Sequence, residues 1–280
     1  MKKLTHEDKV ERFYSHGSDI RGTQEGGFLS FGYWTEDTID YHQAVEALIN
    51  RMLRFEKPLN SGMVLNVACG YGAETLKIYE KIHPDEIYAI DITSAHVEFA
   101  KHHIQQLNLS SKIHFEKMDA CKLHFEPNSF DYVIGIEGPA HFNTRKLFLR
   151  KAYEVLKPGG ILLLSDIIVA DVSTLNNFYN RTIGKLCTKH WYMPEENWMP
   201  IEELKTLMET IGYKIDTAES IGNNVYPGFS KFNLKWESLK NAFRTRGFRI
   251  GLSLSFISWL LGYIHRRNMV DYVLIRAIKI

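Results

Sequence analysis

Between residues 63 and 168, short apolar runs alternate with longer segments in which apolar and polar positions mix. The runs lie at 63–68, 86–90, 112–118, 130–136 and 161–168 and are rich in Val, Ile and Leu. Such short apolar runs predict strands. The intervening segments at 73–82, 94–107 and 144–156 have helix length. Strands alternating with helices predict a parallel sheet covered on both sides. Thr93-Ser94 offers a helix cap, and Lys157-Pro158-Gly159-Gly160 reads as a helix stop and turn.

On either side the pattern is mainly helical. Helices are expected at 9–14 and 37–55, around a loop rich in glycine and aromatics at 26–34. Further helices are expected at 172–187, 201–211, 229–243 and 250–264, and strands at 213–221 and 271–278. The sequence shows neither an internal repeat nor a low-complexity tract, so one domain over 1–280 is the expectation. Its subdivisions are an N-terminal helical cap at 1–62, a core at 63–170, and a helical lid with the final strands at 171–280.

Composition narrows the function classes. The 280 residues are 45% hydrophobic and 24% charged, in the range of a soluble enzyme with a sizeable core. Lys and Arg number 34 against 33 acids, and a net charge of +1 gives no electrostatic reason to expect nucleic acid. Cys69, Cys121 and Cys187 have no metal-type spacing and read as reduced thiols in the cytoplasm. The polar first residues do not read as a secretory signal. The apolar stretch at 250–264 is shorter than the roughly 20 residues a bilayer crossing takes.

The segment Val64-Leu65-Asn66-Val67-Ala68-Cys69-Gly70-Tyr71-Gly72 is a strand leading into a glycine turn and then a helix. Gly70 and Gly72 let a ligand approach the backbone, and Asp91 ends the second strand, where a carboxylate can accept from ribose hydroxyls. A pyrophosphate turn would carry a third glycine where Thr75 stands, and Glu74 puts a negative charge where a phosphate would sit. The ligand is therefore expected to be a nucleoside without phosphates.

From Val64 to Asp166 the chain resembles the class I S-adenosylmethionine-dependent methyltransferases. The motifs that carry the resemblance are Val64–Gly72, Asp91, Met118-Asp119-Ala120, Phe130-Asp131-Tyr132-Val133 and Leu156-Lys157-Pro158-Gly159-Gly160, in order and at matching spacing. Asn66 stands where the family has an acid, and Ala68 where it has a small glycine. The resemblance implies a Rossmann-like, doubly wound, mostly parallel seven-stranded sheet with an antiparallel last strand. It also implies S-adenosylmethionine as cofactor, held by Asn66, Ala68, Gly70, Gly72, Asp91, Ile92, Asp119 and Ala120, with Glu137 and His141 beside it. Tyr14 and Tyr33 are expected to cap its sulfonium, or else to be core aromatics.

A histidine titrates near neutrality, so His141 is the candidate base, with Asp166 on the neighbouring strand orienting it. The resemblance extends to a subgroup that methylates sugars of natural products, in which residues matching His141 and Asp166 form the catalytic pair; Ser30 stands where that subgroup has a histidine. Relatives in the same family methylate amines, or carbon in sterols and tocopherols. His141 then only positions the backbone, and Glu137 is either a cofactor-side acceptor or a carboxylate facing a cation.

A small lipophilic acceptor is expected between the segments at 189–194 and 224–229. The helix at 250–264 is read as a lid or, alternatively, a membrane-touching helix that does not span. Two other classes remain: a nicotinamide oxidoreductase, disfavoured by Thr75 and Glu74, and a non-catalytic binder.

Overall fold

The five apolar runs and the two expected later strands pair into one seven-stranded sheet. In the computed structural model, residues 4–15, 26–54 and 62–280 are described, the side chain of Arg246 excepted. The strands are β1 (Met63–Val67), β2 (Glu86–Asp91), β3 (Ile113–Lys117), β4 (Phe130–Ile136), β5 (Leu156–Ile168), β6 (Tyr213–Ser220) and β7 (Asp271–Lys279). Their order in the sheet is β3-β2-β1-β4-β5-β7-β6. β1 to β5 run parallel, and β7 enters antiparallel between β5 and β6. The expected sheet, with its antiparallel last strand, is the one observed.

The doubly apolar runs have a simple origin. Successive residues of a strand point to opposite faces, and here both faces are core. Val64, Ile134 and Leu163 join one buried layer, whereas Leu65, Val133 and Leu162 join the other. Helices α2 (Tyr41–Met52), α3 (Ala73–Ile82) and α4 (Ser94–Gln106) cover the first layer. Helices α5 (Arg145–Val155) and α7 (Ile201–Ile211) cover the second.

Several boundaries differ from the sequence reading. α2 begins at Tyr41 because Asp40 caps it, accepting from Gln43 N at 2.9 Å; the expected end at Phe55 lies outside the described residues. The Lys157–Gly160 turn is taken into β5 as an irregularity, since Phe130 pairs with Leu156 and Tyr132 with Ile161. The helix expected at 172–187 is a short turn, Val172–Asn176, followed by α6 (Phe178–His190), with Asn177 capping the latter. The helix expected at 229–243 is broken at Leu234-Lys235, where α8 (Gly222–Asn233) ends and α9 (Trp236–Arg266) begins. α9 is two helical pieces meeting at Gly247, whose φ of 79° no ordinary helix residue adopts. The N-terminal helix α1 (His6–Ser15) lies against α4.

Candidate active site

In parallel sheets, ligands bind beyond the carboxyl ends of the strands, at the point where strand order reverses. Here that point lies between β1 and β4. Asp91 closes β2 with a buried carboxylate that accepts from Gly70 N at 2.9 Å and Thr93 N at 2.7 Å. His96 Nδ1 stands 3.4 Å away. Burial pushes this carboxyl up, but His96 and the two backbone donors outweigh it, so Asp91 stays below its ordinary range and charged. Ala68 and Gly70 both adopt left-handed backbone, φ 53° and 54°. A side chain on Gly70 would come within 2.9 Å of Leu29 Cδ1, so the turn and the N-terminal loop close on each other only with glycine there.

Asn66 is buried at the end of β1. Its Oδ1 accepts from Thr75 Oγ1 at 2.7 Å and its Nδ2 donates to Ile134 O at 3.1 Å. Thr75, which breaks the dinucleotide glycine pattern, therefore partners the residue that breaks the acidic one. Gly72 stands outside the cavity wall, contrary to the sequence reading. A Cβ there would approach Phe115 Cζ to 2.6 Å and Ala100 Cβ to 3.1 Å, so its glycine serves the packing of helix on sheet.

The N-terminal loop is laid across these strand ends by two acids, Glu74 buried and Glu137 half-buried. Glu74 accepts from Leu29 N (3.0 Å), Ser30 N (3.3 Å) and Ser30 Oγ (3.2 Å). Glu137, itself left-handed at φ 56°, accepts from Phe31 N at 2.7 Å and Tyr272 Oη at 2.8 Å. Burial raises both carboxyls, Glu137 to about 8, so Glu137 is mainly protonated at neutral pH. Tyr33, expected to cap the cofactor, stands outside the cavity wall. The Arg51 guanidinium lies 5.0 Å above its ring, and its N–H donates to Ala44 O. The extended loop turns Phe31 toward Phe229 and Tyr33 toward α2.

His141 ends a short turn, Pro139–His141, after β4. Its Nδ1 lies 2.8 Å from Trp191 O, so that nitrogen carries the proton and donates. Nε2 is then a lone pair, and it receives Tyr14 Oη at 3.1 Å. Burial lowers the imidazole to about 4, which keeps it neutral.

The expected pairing of His141 with Asp166 is not what the structure holds. Asp166 Oδ2 makes a buried ion pair with Arg145 Nη2 at 2.8 Å, and Oδ1 accepts from Ala140 N and Ile167 N. Arg145 also donates to Asn197 O and Ile167 O, and Asn197 Nδ2 donates to Ala140 O and Phe142 O. A fully buried Arg needs an acid, and Asp166 is it. The network supports the turn's backbone from below, and the imidazole takes its orientation from Trp191.

Together these elements enclose a cavity of about 500 Å³. Tyr14, Asn66, Ala68, Gly70, Asp91 and Ile92 line it, as do Asp119, Ala120, Glu137 and His141. Asp119 Oδ1 accepts from Cys121 N at 2.9 Å, with Lys122 Nζ 3.0 Å from Oδ2. Both segments expected to build the acceptor pocket contribute: Trp191 and Met193 from one, Phe229 from the other. Asn224 does not; its carbonyl and side-chain amide clasp the backbone of Trp34. Leu254, Ile257 and Leu261 of α9 complete an apolar wall. All three cysteines are buried and free, with thiols pushed up by burial, Cys187 to about 11.

The sequence reading does not include Glu74 and His96, which line the cavity, or Tyr272, which holds Glu137 from outside its wall. Glu74 was read only for its charge, and Tyr272 has no local signal, because β7 reaches the site solely through sheet insertion.

Residues 59–212 match the family described as a methyltransferase domain, more than half of the chain. The chain belongs to that family. The enzyme is 29% identical to an erythromycin 3''-O-methyltransferase of Saccharopolyspora erythraea, over 74% of this chain and 68% of that one. It is 25% identical to an O-methyltransferase of Penicillium expansum, over 96% and 91%. A geranyl diphosphate C-methyltransferase from Streptomyces coelicolor, solved with S-adenosyl-L-homocysteine, superimposes with a TM-score of 0.75 at 11% identity over 100% of both chains, a likeness of fold alone. The protein is an S-adenosylmethionine-dependent methyltransferase, and S-adenosylmethionine is its cofactor.

Proposed function

We propose that this methyltransferase methylates a hydroxyl of a small, largely apolar acceptor, with His141 as the general base. The observation that carries the reading is His141 on the cavity wall, fixed by Trp191 O in the tautomer that leaves Nε2 a lone pair; Tyr14 Oη donates to that lone pair, and an acceptor hydroxyl would take its place. The O-methylating relatives, one named for a natural product, favour the same acceptor atom.

The cavity suits the cofactor chemically. Asp91 would hold the ribose with its charged carboxylate, Asp119 and Ala120 the base, and Ala68 and Gly70 the open backbone between them. Tyr14 places an aromatic ring near the reacting end. The Asn66 amide, already engaged by Thr75, supplies shape more than charge. Bound there, S-adenosylmethionine supplies a methyl group on a cationic sulfur.

His141 Nε2 takes the acceptor's hydroxyl proton. The proton becomes strongly acidic as the oxygen forms its new bond, so a weak base suffices, and a depressed imidazole releases it readily afterwards. In a carbon-methylating reading Glu137 would face a cation as a carboxylate. Its carboxyl, raised to about 8 and already accepting two hydrogen bonds, is poorly suited to that task.

His141→Ala is expected to lower turnover on a hydroxyl acceptor by about 10²–10⁴-fold with cofactor affinity by calorimetry nearly unchanged. Turnover retained by that variant would sink the base assignment and favour nitrogen or carbon as acceptor atom. The pH profile of kcat/KM should show a basic group titrating well below 6.

A further inference from the structure

Helix α9 is apolar on two opposite faces, and among the described residues only one of them is covered. Gly251, Ser258, Leu261 and Ile264 are buried against the protein, and Leu254 and Ile257 reach the cavity. On the far side, Phe248, Leu252, Phe256, Trp259 and Tyr263 follow each other at intervals of three or four residues, which aligns them in one stripe. Phe248 is 72% exposed, Leu252 54%, Phe256 57% and Trp259 47%. The rings form one surface: Phe256 lies 6.0 Å from Trp259, and Trp259 stacks on Tyr263 at 5.3 Å. Tyr179 of α6 contacts Tyr263, and beside it Phe178 is 84% exposed, so the surface continues onto α6. Four large apolar side chains in a row facing water, with the half-buried Tyr263 continuing them, are costly for a free surface and mark a contact site.

The charge around this face is one-sided. Residues 234–270 carry seven Lys or Arg and a single acid, Glu237, in a chain whose overall balance is only +1. α6 adds Arg181, Lys185 and Lys189 with no acid. Arg244 and Arg249 flank the stripe at one end and Arg266 and Arg267 at the other, all exposed. A symmetric contact between two copies would set these cations against themselves. An anionic bilayer meets both requirements: its headgroups attract the cations and its interface accommodates Trp, Tyr and Phe. Gly247–Arg266 is long and apolar enough to cross a bilayer by length and composition. A crossing helix, however, could not also bury Gly251, Ser258 and Leu261 against its own protein.

We propose that the outer face of α9, with the start of α6, docks the enzyme in plane on anionic phospholipid membranes. A corollary, which rests on the apolar-acceptor reading above, is that an acceptor dissolved in the bilayer has only one helix between it and the cavity.

The test is flotation of the full chain with vesicles of phosphatidylcholine alone or with about a third phosphatidylglycerol. Binding is expected on the anionic vesicles, weaker on neutral ones, and reduced by salt. The double variant Phe256→Ser/Trp259→Ser should bind at least about tenfold more weakly, and Arg266→Gln/Arg267→Gln should lose the preference for anionic lipid. Both should bind S-adenosylmethionine as the parent does, which verifies their folding. The idea is overturned if the parent fails to float, or if the double variant floats equally well. It is also overturned if the parent self-associates without lipid and the double variant does not, since the face then joins copies of the chain. Normal methylation of a detergent-dispersed hydroxyl acceptor by a chain that fails to float would remove this inference and leave the functional reading intact.

Discussion

Trp191, 50 residues beyond His141, decides which imidazole nitrogen carries the proton, and it does so with a carbonyl that any residue could supply. The acids show the same dependence on surroundings. Glu137 has its carboxyl raised from 4.5 to about 8 by burial, so the folded state holds its proton more tightly than the unfolded chain. The stability this supplies is fully present below pH 4.5 and is lost as pH rises through 8. Glu137→Gln should therefore flatten the fall of the thermal midpoint between about pH 4.5 and 8; an unchanged slope there would place the titrating group elsewhere. His141 has the opposite sign. Its imidazole is lowered from 6.5 to about 4, so its contribution is present above pH 6.5 and is lost as pH falls through 4. Asp166→Ala leaves Arg145 charged and unpaired in the interior, and should cost about 3–5 kcal/mol by denaturant unfolding. A variant as stable as the parent but inactive would restore Asp166 to the imidazole.

At the scale of elements, the site depends on how tightly loops are drawn onto the sheet. Gly72→Ala forces a Cβ against Phe115 and Ala100 from a φ of 86°. It should destabilise the enzyme by roughly 2 kcal/mol and weaken cofactor binding only indirectly, a separation that calorimetry with denaturation can read. Glu74→Ala removes the acceptor shared by Leu29 and Ser30 and leaves their two N–H groups unpaired beneath the loop. Faster proteolysis within residues 26–34 is expected, together with a raised KM for the cofactor; protection equal to the parent's would show the loop to be held by other contacts. α9 shows how an element can serve two surfaces. Small residues let its inner face pack closely, Gly262 against Ser230 of α8 and Gly251 against Phe243 of the helix's own first piece, while its outer face keeps its aromatics.

For the whole molecule, strand alternation, the glycine turn and the acids ending β2 and β3 were legible because each is a local consequence of sequence. Short apolar runs alternating with helix-length segments point to strands covered on both faces, and a doubly covered parallel sheet binds ligands at its carboxyl ends. That much, with the motif order from Val64 to Gly160, determined the fold, the methyltransferase family and part of the cavity wall: Asn66, Ala68, Gly70, Asp91, Ile92, Asp119, Ala120, Glu137 and His141. Tertiary structure decided the partnerships. It gave Asp166 to Arg145, His141 to Trp191, Thr75 to Asn66 and Tyr33 to Arg51, and it brought Tyr272 to Glu137 across 135 residues. The physical reason is that the sequence pattern records which positions avoid water, whereas a hydrogen bond or ion pair depends on directions and distances that exist only once the strands are in register and the loops are closed over them.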